Sequence, residues 1–184
     1  MESRILYFET AGQQNTDATL QAARRRAGEL GIRQVVLAST HGYTARRAAE
    51  IFAGSGIELI AVSICAAFDD EGWTMTPEER AEVEALGIRV LTSMHALGDD
   101  VNEAFGVICP NRVVRETLYR FCQGMKVAVE VAIMAAEAGL LDVSGEAIAI
   151  AGTGDGADTA IVIKPAYARK FGELEIREIL AKPR

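Results

Sequence analysis

A three-layer α/β/α domain, with a mostly parallel sheet and an antiparallel edge, is the fold that this 184-residue sequence predicts. Three observations predict it. Short apolar runs alternate with helix-length amphipathic segments through the first half, the rhythm of strand–helix–strand crossovers. Those runs are continuously apolar, as a parallel sheet covered on both faces requires. Two later apolar runs are separated only by a glycine-rich loop, and a connection that short permits an antiparallel pair but not a parallel one.

Ile5 to Phe8 reads as the first strand. A helix follows from Thr16 to Leu30, with Asn15 or Thr16 as cap, Asp17 favouring the positive end and Gly31 available for the left-handed terminating position. Gln34 to Ala38 is the second strand, Thr44 to Ala53 the second helix, ended by Gly54-Ser55-Gly56, and Glu58 to Ile64 the third strand. The third helix carries the clearest local signal. Thr76-Pro77-Glu78-Glu79 combines an N-cap hydroxyl, proline at the first helical position and a glutamate where a capping box wants it, and Gly87 should close the helix. Ile88 to Leu91 is the fourth strand.

Arg112 to Ala138 reads as one long helix or two shorter ones, with Gly124 as the expected kink. From Met125 to Ala136 it is apolar nearly all round, so this half is expected inside the domain or against another subunit. Lys126 and Glu130, four apart in that apolar helix, either pair with each other or reach toward a polar site, since unpaired charges there are costly. Ala147 to Ala151 and Thr159 to Ile163 are the strands flanking the glycine-rich turn, and Leu174 to Leu180 is the last strand. No linker or repeat divides residues 1–184, so a single domain is expected.

Composition narrows the function. The 49% apolar and 24% charged content is that of a chain with a buried core. Acidic residues outnumber basic ones by 26 to 19, whereas a nucleic-acid binder normally needs a basic excess, so no nucleic-acid partner is expected. Ile5 to Phe8 is too short for a signal-peptide core, and Val127 to Ala136 falls short of the roughly 18 residues that span a bilayer. No membrane partner is expected either. Cys65, Cys109 and Cys122 are odd in number and widely separated, which points to free thiols and the cytoplasm. With only His41 and His95, and no nearby thiol or carboxylate pattern, neither a metal site nor a catalytic constellation emerges.

Two loops carry candidate chemistry. Ser39, Thr40, His41, Gly42, Tyr43 and Thr44 leave the second strand and open a helix, where unpartnered amides and the helix dipole favour an anion such as phosphate. The alternative is an N-cap at Thr44 in a polar turn. In Gly152, Thr153, Gly154, Asp155, Gly156, Ala157, Asp158 and Thr159, three glycines alternate between apolar strands. This is neither a dinucleotide fingerprint nor a Walker loop. It reads as a wide hairpin turn, or as a flexible backbone wrapping a ligand, with Thr153 and Thr159 as donors and Asp158 as acceptor. The crevice of an open α/β sheet lies beyond the carboxyl ends of its strands, so the first three strand loops should converge, bringing Glu9 and Asn15 to the site. Phe68 and Trp73 either stack a planar ring or form a small lid core. Arg24-Arg25-Arg26 is a solvated face, and Arg46 and Arg47 could help attract an anion.

These residues carry a resemblance. Tyr7-Phe8-Glu9, Asn15-Thr16, the loop Ser39 to Ala45, Gln123-Gly124, Lys126 to Glu130, and Gly152-Thr153 with Gly156-Ala157-Asp158-Thr159 resemble the stand-alone relatives of the pyruvate kinase carboxyl-terminal α/β domain over essentially the whole chain. In pyruvate kinase that domain does no chemistry. It supports the tetramer and, in some members, holds a phosphorylated sugar through its Ser/Thr loop. The resemblance therefore implies no pyruvate kinase activity, because the catalytic barrel of about 250 residues is not in this sequence. His41 stands where the enzymes carry a hydroxyl residue, which puts sugar-bisphosphate binding in doubt and leaves the backbone anion site intact. For the stand-alone group the resemblance implies a phosphorylated nucleotide-like ligand, with flavin mononucleotide (FMN) the first candidate cofactor. The expected function is thus a homo-oligomeric protein binding a phosphorylated small molecule, with a flavin- or phosphate-ester-dependent enzyme and a structural oligomerisation protein as alternatives.

Overall fold

The computed structural model describes residues 3–98 and 100–184. The expected three-layer architecture is present. Strands β1 (Leu6–Phe8), β2 (Gln34–Ala38), β3 (Glu58–Ser63), β4 (Arg89–Thr92), β5 (Ala147–Ala151), β6 (Thr159–Lys164) and β7 (Glu175–Pro183) form one sheet in the order β1-β7-β6-β5-β2-β3-β4. Every pairing is parallel except those of β6, which runs antiparallel to β5 and β7 toward one side of the sheet.

The continuous apolar runs have their predicted meaning, because the pleat sends successive side chains to opposite faces and both faces are covered. On one face Val35, Leu37, Ile148, Ile150 and Val162 pack beneath helices α1 (Thr16–Leu30), α2 (Tyr43–Phe52) and α3 (Pro77–Ala85). On the other, Val36, Ile60, Ala149, Ile161 and Ile163 pack beneath α6 (Gln123–Glu137). The remaining helices, α4 (Asp100–Ala104) and α5 (Pro110–Tyr119), follow β4, and α5 packs beside α6.

Local signals explain the boundaries. Thr76 accepts the Glu79 amide while the Glu79 carboxylate accepts the Thr76 amide, the full capping box, and Gly31 ends α1 in the left-handed conformation. The long helical segment breaks at residues 120–122, between α5 and α6, so Gly124 is not the kink. It lies in the first turn of α6, where an added Cβ would come within 2.6 Å of Thr159 Cβ. Glycine is needed there for close packing. From Met125 to Ala136 only Val127 is not fully buried, and burying each Val, Ile or Met side chain contributes about 1.5–3 kcal/mol. That burial lies within this chain, so the apolarity of α6 requires no second subunit.

Two of its buried residues are charged. Lys126 Nζ donates to Glu130 and sits 5.9 Å from the centre of the Tyr119 ring, while Glu130 Oε1 also accepts the Leu97 amide at 2.9 Å. The pairing alternative holds, and the pair ties the segment after β4 to α6.

Candidate functional site

The parallel strands share one carboxyl-terminal edge. α1 and α2 begin there because they follow β1 and β2. α6 begins there because it leads back to β5, as its Gly124 against Thr159 attests. The β2–β5 register ends at Leu37↔Ile150 and, continued two residues, sets Ser39 alongside Gly152. Between those strands the connections part, β2 leading through α2 to β3 and β5 turning back to β6. Such a switch point opens a crevice in α/β sheets. The two candidate loops therefore flank one crevice edge, faced by helix N-termini that each carry about half a positive charge.

The glycine-rich turn is built around Asp158. Its carboxylate is fully buried and accepts from Gly12 N at 2.9 Å, Thr153 N at 3.2 Å and Thr159 Oγ1 at 2.8 Å. Beside it, Thr16 Oγ1 donates to Gln13 O at 2.6 Å and accepts from Ala157 N at 3.0 Å. Gly156 lies so close to the first-strand loop that an added Cβ would sit 2.8 Å from Gln13 Cα. The loop after β1 and the glycine-rich turn are thus one locked unit. Asp158 and Thr159 work within the protein, whereas Thr153 is half-buried and Gly154 and Asp155 are exposed at the tip.

Across the crevice, Ser39 is buried and its Oγ accepts the Ala45 amide at 3.2 Å. The N-cap position is Gly42, at φ +79°, which has no side chain to cap α2, so among the described residues Ser39 alone serves the first turn, at the Ala45 amide. This replaces the alternative of an N-cap at Thr44, which lies inside the helix. A Cβ on Gly42 would meet Val83 Cγ2 at 2.8 Å and Arg46 Nη1 at 2.7 Å. Among the described residues the amides of Tyr43 and Thr44 meet no acceptor. Thr40 is half-buried and Tyr43 41% exposed, so the mouth remains open to solvent. His41 turns away toward α3, with Nδ1 at 3.1 Å from Glu79 Oε2. The Thr76 amide, and then the His41 ring, hold the Glu79 carboxyl below its usual range.

Other expected participants are placed differently. β1 is an edge strand three places from β5, so its loop reaches the glycine-rich turn rather than the loop after β2. Asn15 precedes α1 without capping it, its Nδ2 donating to Thr10 O at 2.8 Å, and Glu9 is exposed, 3.9 Å from Arg184. Phe68 stacks on Trp73 at 5.7 Å and His95 tilts against Phe68 at 5.5 Å, a small aromatic layer after β3 and β4. Arg47 binds both Asp17 oxygens, at 2.6 and 2.8 Å, joining α1 to α2 and holding the Asp17 carboxyl low. Arg26 is no solvated residue, since it grips Glu178 of β7.

Sequence reasoning missed Gly12, Thr16 and Cys122 as parts of the site. Cys122 precedes α6 with Sγ 3.4 Å from Thr159 Oγ1, and no side chain caps that helix. Thr16 left a trace, as a hydroxyl residue opening a helix. Gly12 and Cys122 left none, because their roles depend on contacts across more than thirty residues.

Among the described residues, no group of three His, Cys, Asp or Glu is placed to hold a metal, and no helix is long and apolar enough to cross a membrane.

Known structures of similar shape are distant. A Cryptosporidium parvum pyruvate kinase in complex with ADP matches with 16% identity and a TM-score of 0.43, over 80% of this chain and 22% of that one. Another structure of a pyruvate kinase from that organism matches with 15% identity and a TM-score of 0.40, over 73% and 20%. A hydrogen sulfide-producing enzyme from Fusobacterium nucleatum matches with 18% identity and a TM-score of 0.31, over 50% and 31%. The chain spans about a fifth of the length of the pyruvate kinases it matches. The sequence profile of the pyruvate kinase alpha/beta domain matches residues 17–163, a span running from the first turn of α1 to the end of β6 that includes both candidate loops. The chain therefore belongs to the pyruvate kinase alpha/beta domain family.

Proposed function

We propose that the protein binds a small phosphorylated molecule in the crevice between residues 39–44 and 152–159, and that it is a binding protein rather than a pyruvate kinase. One observation carries the reading: the Tyr43 and Thr44 amides, without acceptors among the described residues, lie at the crevice that the β2–β5 register sets beside the glycine-rich turn. Unpartnered amides at a helix N-terminus favour an anion. Thr40 and Thr153 offer hydroxyl donors from the two sides, and Asp158 positions the turn without facing the ligand. FMN is the cofactor we propose to test first, and a sugar phosphate second. A cytoplasmic setting is part of the proposal and rests on the reading of Cys65, Cys109 and Cys122 as free thiols.

Mass spectrometry of small molecules released from the purified protein, followed by thermal shifts with FMN, a sugar phosphate and inorganic phosphate, tests the proposal. Thr40→Glu and Thr153→Glu add negative charge at the mouth without touching the core. Each should remove the shift given by the wild type. An unchanged shift in both variants, or none in the wild type with any of the three, would sink the reading.

A second reading, self-association, rests on a different feature. Phe105, Ile108, Val113 and Phe121 are 78%, 74%, 62% and 51% exposed around α5, more apolar surface than scattered single residues supply.

A further inference from the structure

We propose that a cavity beyond the edge strand β4, between residues 93–98 and the second half of α6, is a separate binding site for a small, neutral, heteroaromatic molecule. Its volume is about 380 Å³, within the range of roughly 300–1,000 Å³ usual for small-molecule pockets. Buried Met134 and exposed Met94 both line it, and thioether sulfur packs well against aromatic rings.

The polar lining defines the ligand further. Ser93, His95, Asn102 and Asn111 all line the cavity, and none of their side chains forms a hydrogen bond with any described residue. Each asparagine carries both a donor and an acceptor, which matches the edge of a ring bearing an amide or an N–H beside a ring nitrogen. Among the described residues no lysine or arginine lines the cavity. The one charged residue among the described lining residues, Glu137, already accepts the Ala168 amide at 2.6 Å. A phosphate or carboxylate would find repulsion there and no counter-charge, so this site selects the opposite chemistry to the crevice above.

The roof is held in place. Leu97 is fixed by Glu130, which is paired in turn with Lys126 under the Tyr119 ring. A buried ion pair is weak evidence of stability, because desolvation offsets most of its attraction. Its consequence here is geometric: it sets the segment that closes the cavity, so a ligand would meet a preformed site.

Ligand-observed NMR with adenine, quinazolinone and lumichrome as neutral probes, and benzoate as the anionic control, tests the proposal. At least one neutral probe should bind, with magnetisation transfer to the Met134 methyl, and benzoate should not. Ala168→Trp fills the cavity from an exposed position, and Asn111→Asp replaces an amide donor by charge at an exposed one. Each should weaken binding by about tenfold or more, while Thr40→Glu leaves it unchanged. Asn111→Asp alters no packed contact, so the test survives misfolding of the tryptophan variant. Absence of binding by every neutral probe, binding indifferent to Asn111→Asp, or binding lost in Thr40→Glu would each overturn the proposal, and none of these bears on phosphate binding at the crevice.

Discussion

Asp158 shows how a residue type identified from sequence acquires its role from its surroundings. As a carboxylate in a glycine-rich turn it reads as an acceptor for a ligand. In the fold it is fully buried and receives three donors from two loops. Hydrogen bonds to a charged group contribute about 1.5–3 kcal/mol each, so the carboxylate locks the turn rather than lining it. Asp158→Asn would remove the negative charge that the two amides meet and would turn the Thr159 hydroxyl from donor to acceptor, leaving neutral hydrogen bonds of about half the strength. We expect a loss of about 2 kcal/mol or more in urea-unfolding free energy. Wild-type stability in that variant would show that the lock is not needed.

At the scale of elements, local chemistry and tertiary packing contribute unequally. The start of α3 needs only the spacing Thr76-Pro77-Glu78-Glu79, because the capping box closes within four residues. α6 is the opposite case. Its charged pair is readable at i, i+4, but the Leu97 amide that completes it comes from a segment thirty-three residues away. Glu130→Ala leaves Lys126 buried without a counter-ion, and a loss of about 3–5 kcal/mol is expected by chemical denaturation. Replacing both Lys126 and Glu130 by Met should cost clearly less, since two desolvated charges go together. A double variant as unstable as the single one would mean that packing, not charge, dominates.

At the scale of the whole molecule, the sheet order decides which loops meet. It sets the glycine-rich turn between the loops after β1 and β2, so that the three segments bound one edge in sequence rather than converging on a point. It also leaves α6 covered by its own chain, so the proposed self-association rests on the exposed apolar side chains around α5 alone. Ile108→Asp and Val113→Asp should lower the mass measured by light scattering to that of a single chain. A wild type that is already a single chain at high concentration would remove that reading.

The sequence by itself determined the layers, the covered parallel strands, the antiparallel return at the glycine-rich turn and most helix boundaries, and it named both loops of the candidate site. These features depend on hydrophobic period, capping and loop length, all of which act between near neighbours in the chain. Only the tertiary structure decided that Gly124 serves close packing, that Asp158 faces inward, that His41 turns to Glu79 and that a cavity of mixed lining lies beside α6. Each of those follows from which strands lie side by side, a choice made by the collective burial of both faces of the sheet and not by any short stretch of residues.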